Sequence, residues 1–360
     1  MSISIVFELP QGISQLKDSF VDLTIKHFEQ IAADHYKRKQ SVENASTDSK
    51  IEDINAMLGK GLWYPPDYYL ALNKFKQTKR LTWLISHNTF YHGYAPASFF
   101  EHVEDTKSPS KKRICTFDLK KGVSPTTALE ALNKEFSLID CGTALNVACL
   151  FSLREVIGEE KFNFLFEYDS PFRLRISPDC HSINRLFQRV VIEGEDSIER
   201  GDLCSFENIA NQYKDGKFIG YTPKHPAEAG RALNVLCVSN EIEKKYLGLG
   251  LSPEGVNSNG IKRTLFELFN DDPIEEGIFS KQLWEYIYQN HFYQQREINI
   301  QLINSLKTVK ITWEEFQGMQ SRNGTIEPLD LVVLRPDVER IEQLVQAPLE
   351  NIREVFARFS

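Results

Sequence analysis

One cysteine in this chain stands where covalent chemistry is possible. The run Ser137-Leu138-Ile139-Asp140-Cys141-Gly142 breaks one helical pattern and leads into a second, Thr143 to Val156, ending near Gly158. Unpaired N–H groups and the positive end of the helix dipole favour a thiolate at Cys141. The same N–H groups could hold the oxyanion of an acyl transfer. Gly142 permits close approach of a substrate backbone. Asp140 opposes this, because a carboxylate beside the thiol raises its pKa unless it points away to a base or a backbone donor. Position alone leaves both a nucleophile and an inert cysteine open.

Several elements must position that residue. Ile114 to Leu119 reads as a short strand. Val123 to Thr127 opens a helix with Ser124 as N-cap and Pro125 in the first turn, its apolar face being Ala128, Leu129 and Leu132. The helix after Gly142 carries Leu145, Ala148, Cys149, Phe151, Leu153 and Val156, which makes it apolar on most sides and a buried central helix. Upstream, residues 13–35 read as an amphipathic helix, with Leu16, Phe20, Leu23 and His27 on one face and His27 as a core or partly buried histidine. Residues 37–52 are polar and read as a linker, and the aromatics of 61–72 read as packing. Downstream, strands are expected at Val190–Ile192, Leu203–Phe206, Val235–Val238, Val309–Trp313 and Leu329–Leu334. A turn is expected at Lys214–Lys217, and mainly helix over 261–303. The expected class is α+β with a helical N-terminal part.

Composition narrows the partners. Forty-two basic against fifty acidic residues give a net charge of −8 in 360 residues, a poor match to nucleic acid through a general positive field. No stretch reaches the ~18 apolar residues of a membrane span, and the first twenty residues do not read as a secretory signal peptide. The six cysteines, at 115, 141, 149, 180, 204 and 237, form no Cys-x-x-Cys pair, so free thiols in a reducing, cytoplasmic compartment are expected. His87, His92 and His102 lack metal-ligand spacing, so no metal is expected. Asp179-Cys180-His181 reads as a loop.

The stretch from Gly122 to Phe166, GVSPTTALEALNKEFSLIDCGTALNVACLFSLREVIGEEKFNFLF, resembles the catalytic region of the bacterial spore-coat type of protein-glutamine gamma-glutamyltransferase. In that family an acidic residue precedes the nucleophilic Cys, small residues and an apolar helix follow, and a Gly-Glu-Glu-x-Phe-Asn-x-Leu-Phe turn comes next. Gly158 to Phe166 matches that turn. Arg200 to Asn208 resembles the family's Pro-Gly-Asp-Leu-x-x-Phe-x-Asn segment. The resemblance covers about residues 113–240. It implies a papain-like core of NlpC/P60 type, with the Cys helix packed on an antiparallel sheet and helical insertions around it. The chain then divides into an N-terminal helical segment, 1–58, and a transglutaminase-like catalytic domain, 59–360.

The chain departs from the family at the base. An ungapped match brings Asn234 to the position where the family has a His between two glycines, and the family's other acidic residue falls near Tyr221. The nearest histidine is His225, in Lys224-His225-Pro226. Two expectations follow. Either a loop brings His225 to the thiol as base, with Asn234 or Asp140 orienting the ring and Asp330 a remote alternative, or the site is altered or dead. Outside catalysis, His225 reads as a solvent-exposed loop histidine and Asn234 as a residue capping backbone groups.

The resemblance thus implies a cysteine-dependent acyl transferase or hydrolase. Cys141 would attack a glutamine carboxamide of a protein or peptide, release ammonia and form a thioester. An amine acceptor makes this a transglutaminase and water a deamidase, with no cofactor; attack on a backbone amide makes it a protease. The alternative is a catalytically inactive interaction protein on the same core. The missing Sec signal is compatible with delivery into another cell.

Overall fold

The computed structural model describes residues 13–46, 51–63, 93–103, 116–177, 181–192, 194–210, 212–214, 217–225, 230, 232–271, 308–319 and 333–359, with positions 67, 68, 71 and 74. In chain order the elements are α1 (Ile13–Asn44), α2 (Ile51–Leu58), β1 (Leu62–Trp63), β2 (Phe100–Val103), β3 (Thr116–Leu119), α3 (Pro125–Lys134), β4 (Ser137–Leu138), α4 (Cys141–Ile157), α5 (Glu159–Phe166) and β5 (Arg175–Ile176). Then come α6 (His181–Asn184), β6 (Phe187–Val190), β7 (Leu203–Glu207), β8 (Gln212–Lys214), β9 (Lys217–Ile219), α7 (Tyr221–Lys224), β10 (Ala232–Cys237) and β11 (Tyr246–Gly248). The chain continues through α8 (Ser258–Asn270), α9 (Trp313–Gln317), β12 (Val333–Pro336), α10 (Val338–Gln346) and α11 (Ile352–Ala357). The class is α+β.

The central helix is α4. Asp140 caps it, its carboxylate accepting the Thr143 N–H at 2.8 Å, and Gly158 ends it at φ 85°. Its burial on most sides has a direct cause: α1 covers one flank and a sheet covers another. On the α1 side, Phe20, Val21, Ile25, Phe28 and Ile31 join the α4 core. The Thr24 hydroxyl donates to Ser152 Oγ at 3.0 Å, and His27 stacks on Phe151 with its Nε2 2.7 Å from Glu155.

The sheet under α4 runs β11-β10-β7-β12-β6, antiparallel at every pair. Its residues alternate between two cores, as a period of two requires. Leu203, Leu236 and Leu247 pack toward α4, while Cys204, Phe206, Val235, Cys237 and Tyr246 pack on the other face with Ile261, Leu265 and Phe269 of α8. A helix-carried cysteine against an antiparallel sheet is therefore the arrangement present. β2-β3-β5 form a smaller antiparallel sheet, and β8–β9 form the hairpin around the expected turn.

Four expectations change. The strand expected at Val190–Ile192 runs instead over Phe187–Val190, where it pairs with β12. Residues 37–44 do not link segments but continue α1, because tertiary contacts hold them: Val42 is buried, Arg38 Nη2 donates to the Leu62 carbonyl at 2.6 Å, and Lys39 pairs with Asp67 at 2.9 Å. Val309–Trp313 is not a strand. Thr312 and Glu315 form a capping box that starts α9 at Trp313. The α3 N-terminus is not capped by the Ser124 side chain; Asn163 reaches across from α5 and accepts the Thr126 N–H at 3.0 Å. The expected strand at Leu329–Leu334 is described only from Val333. Among the described residues no helix is long and apolar enough to cross a membrane.

Candidate active site

The ladder between β10 and β11 stops at Val235–Gly248. Where it stops, the Cys141 thiol meets the strand's backbone. The Asn234 backbone N–H and the Asn234 Nδ2 each donate to Sγ at 3.3 Å, and the thiol faces the Ala232 carbonyl at 3.8 Å. Gly142 makes this approach possible: a Cβ there would lie 3.1 Å from Asn234 Nδ2. Asp140 turns its carboxylate to the Thr143 N–H, a backbone donor.

Burial decides the protonation state. Cys141 is only 3% exposed. Desolvation, and after it the Asp140 charge, push its pKa up to about 11, against the opposing pull of the Asn234 and Gly142 donors. The thiolate stabilisation expected from the helix start is thus outweighed. Cys149, Cys204 and Cys237 are also buried free thiols, while Cys115 and Cys180 lie outside the described residues.

His225 is not brought to the thiol. It is neither a base beside Cys141 nor a solvent-exposed loop residue: it is 1% exposed, stacks on Tyr221 at 4.7 Å, and its Nε2 lies 3.0 Å from the Phe269 carbonyl. Lys224 donates to the same carbonyl. Phe269 is in the last turn of α8, whose carbonyls have no helical partner, so this pair satisfies a helix C-terminus. Tyr221 and Phe269 belong to the core on the far face of the sheet, whereas Cys141 belongs to the near one. The structure thus brings together Cys141, Asp140 and Asn234 and leaves His225 behind the sheet. Asp330, Asp179, His87 and His92 lie outside the described residues, as do the side chains of His102 and His181.

No family profile matches the chain, and no curated protein does. Among solved structures, a transglutaminase from Geobacillus stearothermophilus, without its C-terminal extension, is similar at TM-score 0.33 and 15% identity, over 55% of this chain and 84% of that one. A likeness of that size leaves the chemistry to the geometry.

The residues that carry the family resemblance hold the fold together. Asn163 Oδ1 collects the Thr126 N–H, the Thr126 hydroxyl and the Ser124 hydroxyl. Asp202, fully buried, takes the Arg335 fork at 2.9 and 2.8 Å and so ties β7 to β12. Asn208 Nδ2 donates to the carbonyls of Gly230 and Leu265. Asp202 and Asn208 are polar groups whose burial requires a partner, and Asn163 joins two helices from a half-buried position.

On the face toward α4, the central strands open at one place. Ser205 and Glu207 of β7 and Ala232 and Asn234 of β10 are half-buried, whereas the alternate positions 204, 206, 233 and 235 are buried. These four are paired across the ladder, Ser205 with Asn234 and Glu207 with Ala232. Their only titratable side chain is Glu207, a residue that sequence reading passed over as a variable position within the matched segment. Among the described residues no group of His, Cys, Asp or Glu could hold a metal ion.

Proposed function

We propose that this chain is an interaction protein on a core of the cysteine-acyltransferase kind, with its thiol held protonated. The observation that carries this reading is the amide at Cys141: the side chain hydrogen-bonded to Sγ is Asn234, at the position where the family resemblance expects a His. A carboxamide donates to sulfur but takes no proton at neutral pH, and a buried thiol with a pKa of about 11 is a weak nucleophile. The domain division that goes with it is an N-terminal helical segment, 1–58, followed by the body of the chain, 59–360. The free buried thiols support a reducing compartment.

A second reading, protein-glutamine acyl transfer through a Cys141 thioester, rests on the donors gathered at Sγ. The N–H groups of Gly142 and Asn234 and the Asn234 Nδ2 would hold a thiolate if a bound substrate brought the base. Ammonia release from a glutamine-containing protein separates the two. The interaction reading expects wild type and Cys141→Ala to give the same background. Release that depends on Cys141 would replace it with the enzymatic reading.

A further inference from the structure

Glu207 Oε2 is buried and has no hydrogen-bond partner among the described residues. A carboxylate oxygen out of water without a donor is costly and is seldom left so in a folded protein. The contrast with the chain's buried carboxylates is direct. Asp118 takes the Arg175 fork at 2.7 and 2.9 Å, Asp202 takes that of Arg335, and Asp67 holds His35 and Lys39. Glu207, half-buried as a residue, has one buried oxygen and no cation beside it among the described residues.

Its place is also suited to a visitor. Glu207 lies opposite Ala232, whose small side chain leaves room, in the half-buried opening that Ser205 and Asn234 share. Asn234 Nδ2 is engaged by the thiol, which leaves the amide oxygen as an acceptor. The opening therefore offers a carboxylate, an amide oxygen and a hydroxyl, a set that calls for a cationic donor.

We infer that the opening formed by Ser205, Glu207, Ala232 and Asn234 is a binding site for a guanidinium group, taken from an arginine side chain of a partner protein. A planar fork can meet the Glu207 carboxylate and still present N–H groups to its neighbours. It is also less strongly hydrated than an ammonium, which lowers the cost of entering a half-buried place. The site deepens the interaction reading, and ammonia release continues to test that reading on its own.

Saturation-transfer NMR with Nα-acetyl-arginine amide, Nα-acetyl-citrulline amide and Nα-acetyl-lysine amide tests it. The arginine probe should bind wild type, and the neutral citrulline probe should bind at least about tenfold more weakly, the worth of one charge-assisted hydrogen bond. Glu207→Gln, which keeps the shape and removes the charge, should weaken the arginine probe by a similar factor. Equal binding of citrulline and arginine, no binding of arginine, or unchanged affinity in Glu207→Gln would overturn the site. Lysine binding as tightly as arginine would overturn the guanidinium assignment. The probe comparison on wild type decides the matter even if the variant folds poorly.

Discussion

Asn234 reaches Cys141 twice, through its backbone N–H and through its side-chain Nδ2, each 3.3 Å from Sγ. Both groups donate, so the thiol gains partners and no proton acceptor. Asn234→His places an imidazole where the amide stands. Alkylation of Cys141 by iodoacetamide at neutral pH should then rise by at least about tenfold, as a neighbouring imidazolium lowers a thiol pKa. Site-resolved mass spectrometry reads the rate. A variant that labels no faster than wild type would mean that position 234 does not control the thiol.

The pH dependence of stability follows from the same pair. Cys141 is raised in the folded chain to about 11 from an ordinary 9.0. Its contribution is therefore fully present below about pH 9 and is lost as pH rises through the folded value. Relative to Cys141→Ser, wild type should lose on the order of 2–3 kcal/mol between these limits. Denaturant titrations of both proteins across that range provide the measurement. Parallel curves would show that the thiol titrates alike in the folded and unfolded chains.

His225→Ala should act on folding. The ring is stacked on Tyr221 and bonded to the Phe269 carbonyl at the end of α8, so its removal should cost about 2–3 kcal/mol in chemical denaturation. The alkylation rate of Cys141 should stay as in wild type. Intact stability with a slowed Cys141 would restore the imidazole to the site.

Asn163 and Ser124 should differ sharply. Asn163→Ala removes the acceptor of the Thr126 N–H at the start of α3 and should cost about 1–2 kcal/mol. Ser124→Ala removes only one donor to Asn163 and should cost less than about 0.5 kcal/mol. Thermal melts of the two variants compare them. The reverse order would return the cap to Ser124.

Local chemistry was legible in the sequence. The start of α4 at Asp140–Cys141 and its end at Gly158 follow from capping residues and from a run of apolar side chains, all within one helix length. Strands β7 and β10 were legible from short β-branched and apolar runs, and the hairpin turn between β8 and β9 from its Asp-Gly pair. Polarity alone misread residues 37–44, since their helix is held by Leu62 and Asp67 from outside the segment.

The state of the site depended on contacts that no local pattern records. The thiol's partner lies 93 residues away, Asp202 is matched by Arg335 across 133, and His225 is drawn to α8 over 44. Those separations were closed by the packing of whole elements: the twofold alternation of the sheet put Asn234 and Glu207 on the face of Cys141, while Tyr221 and His225, in and just after α7, packed on Phe269 of α8 at the other face. Spacing along a chain fixes which residues share a face within one element. Which face meets which is set by the packing of whole elements, because only there does the burial of one side chain compete with that of another.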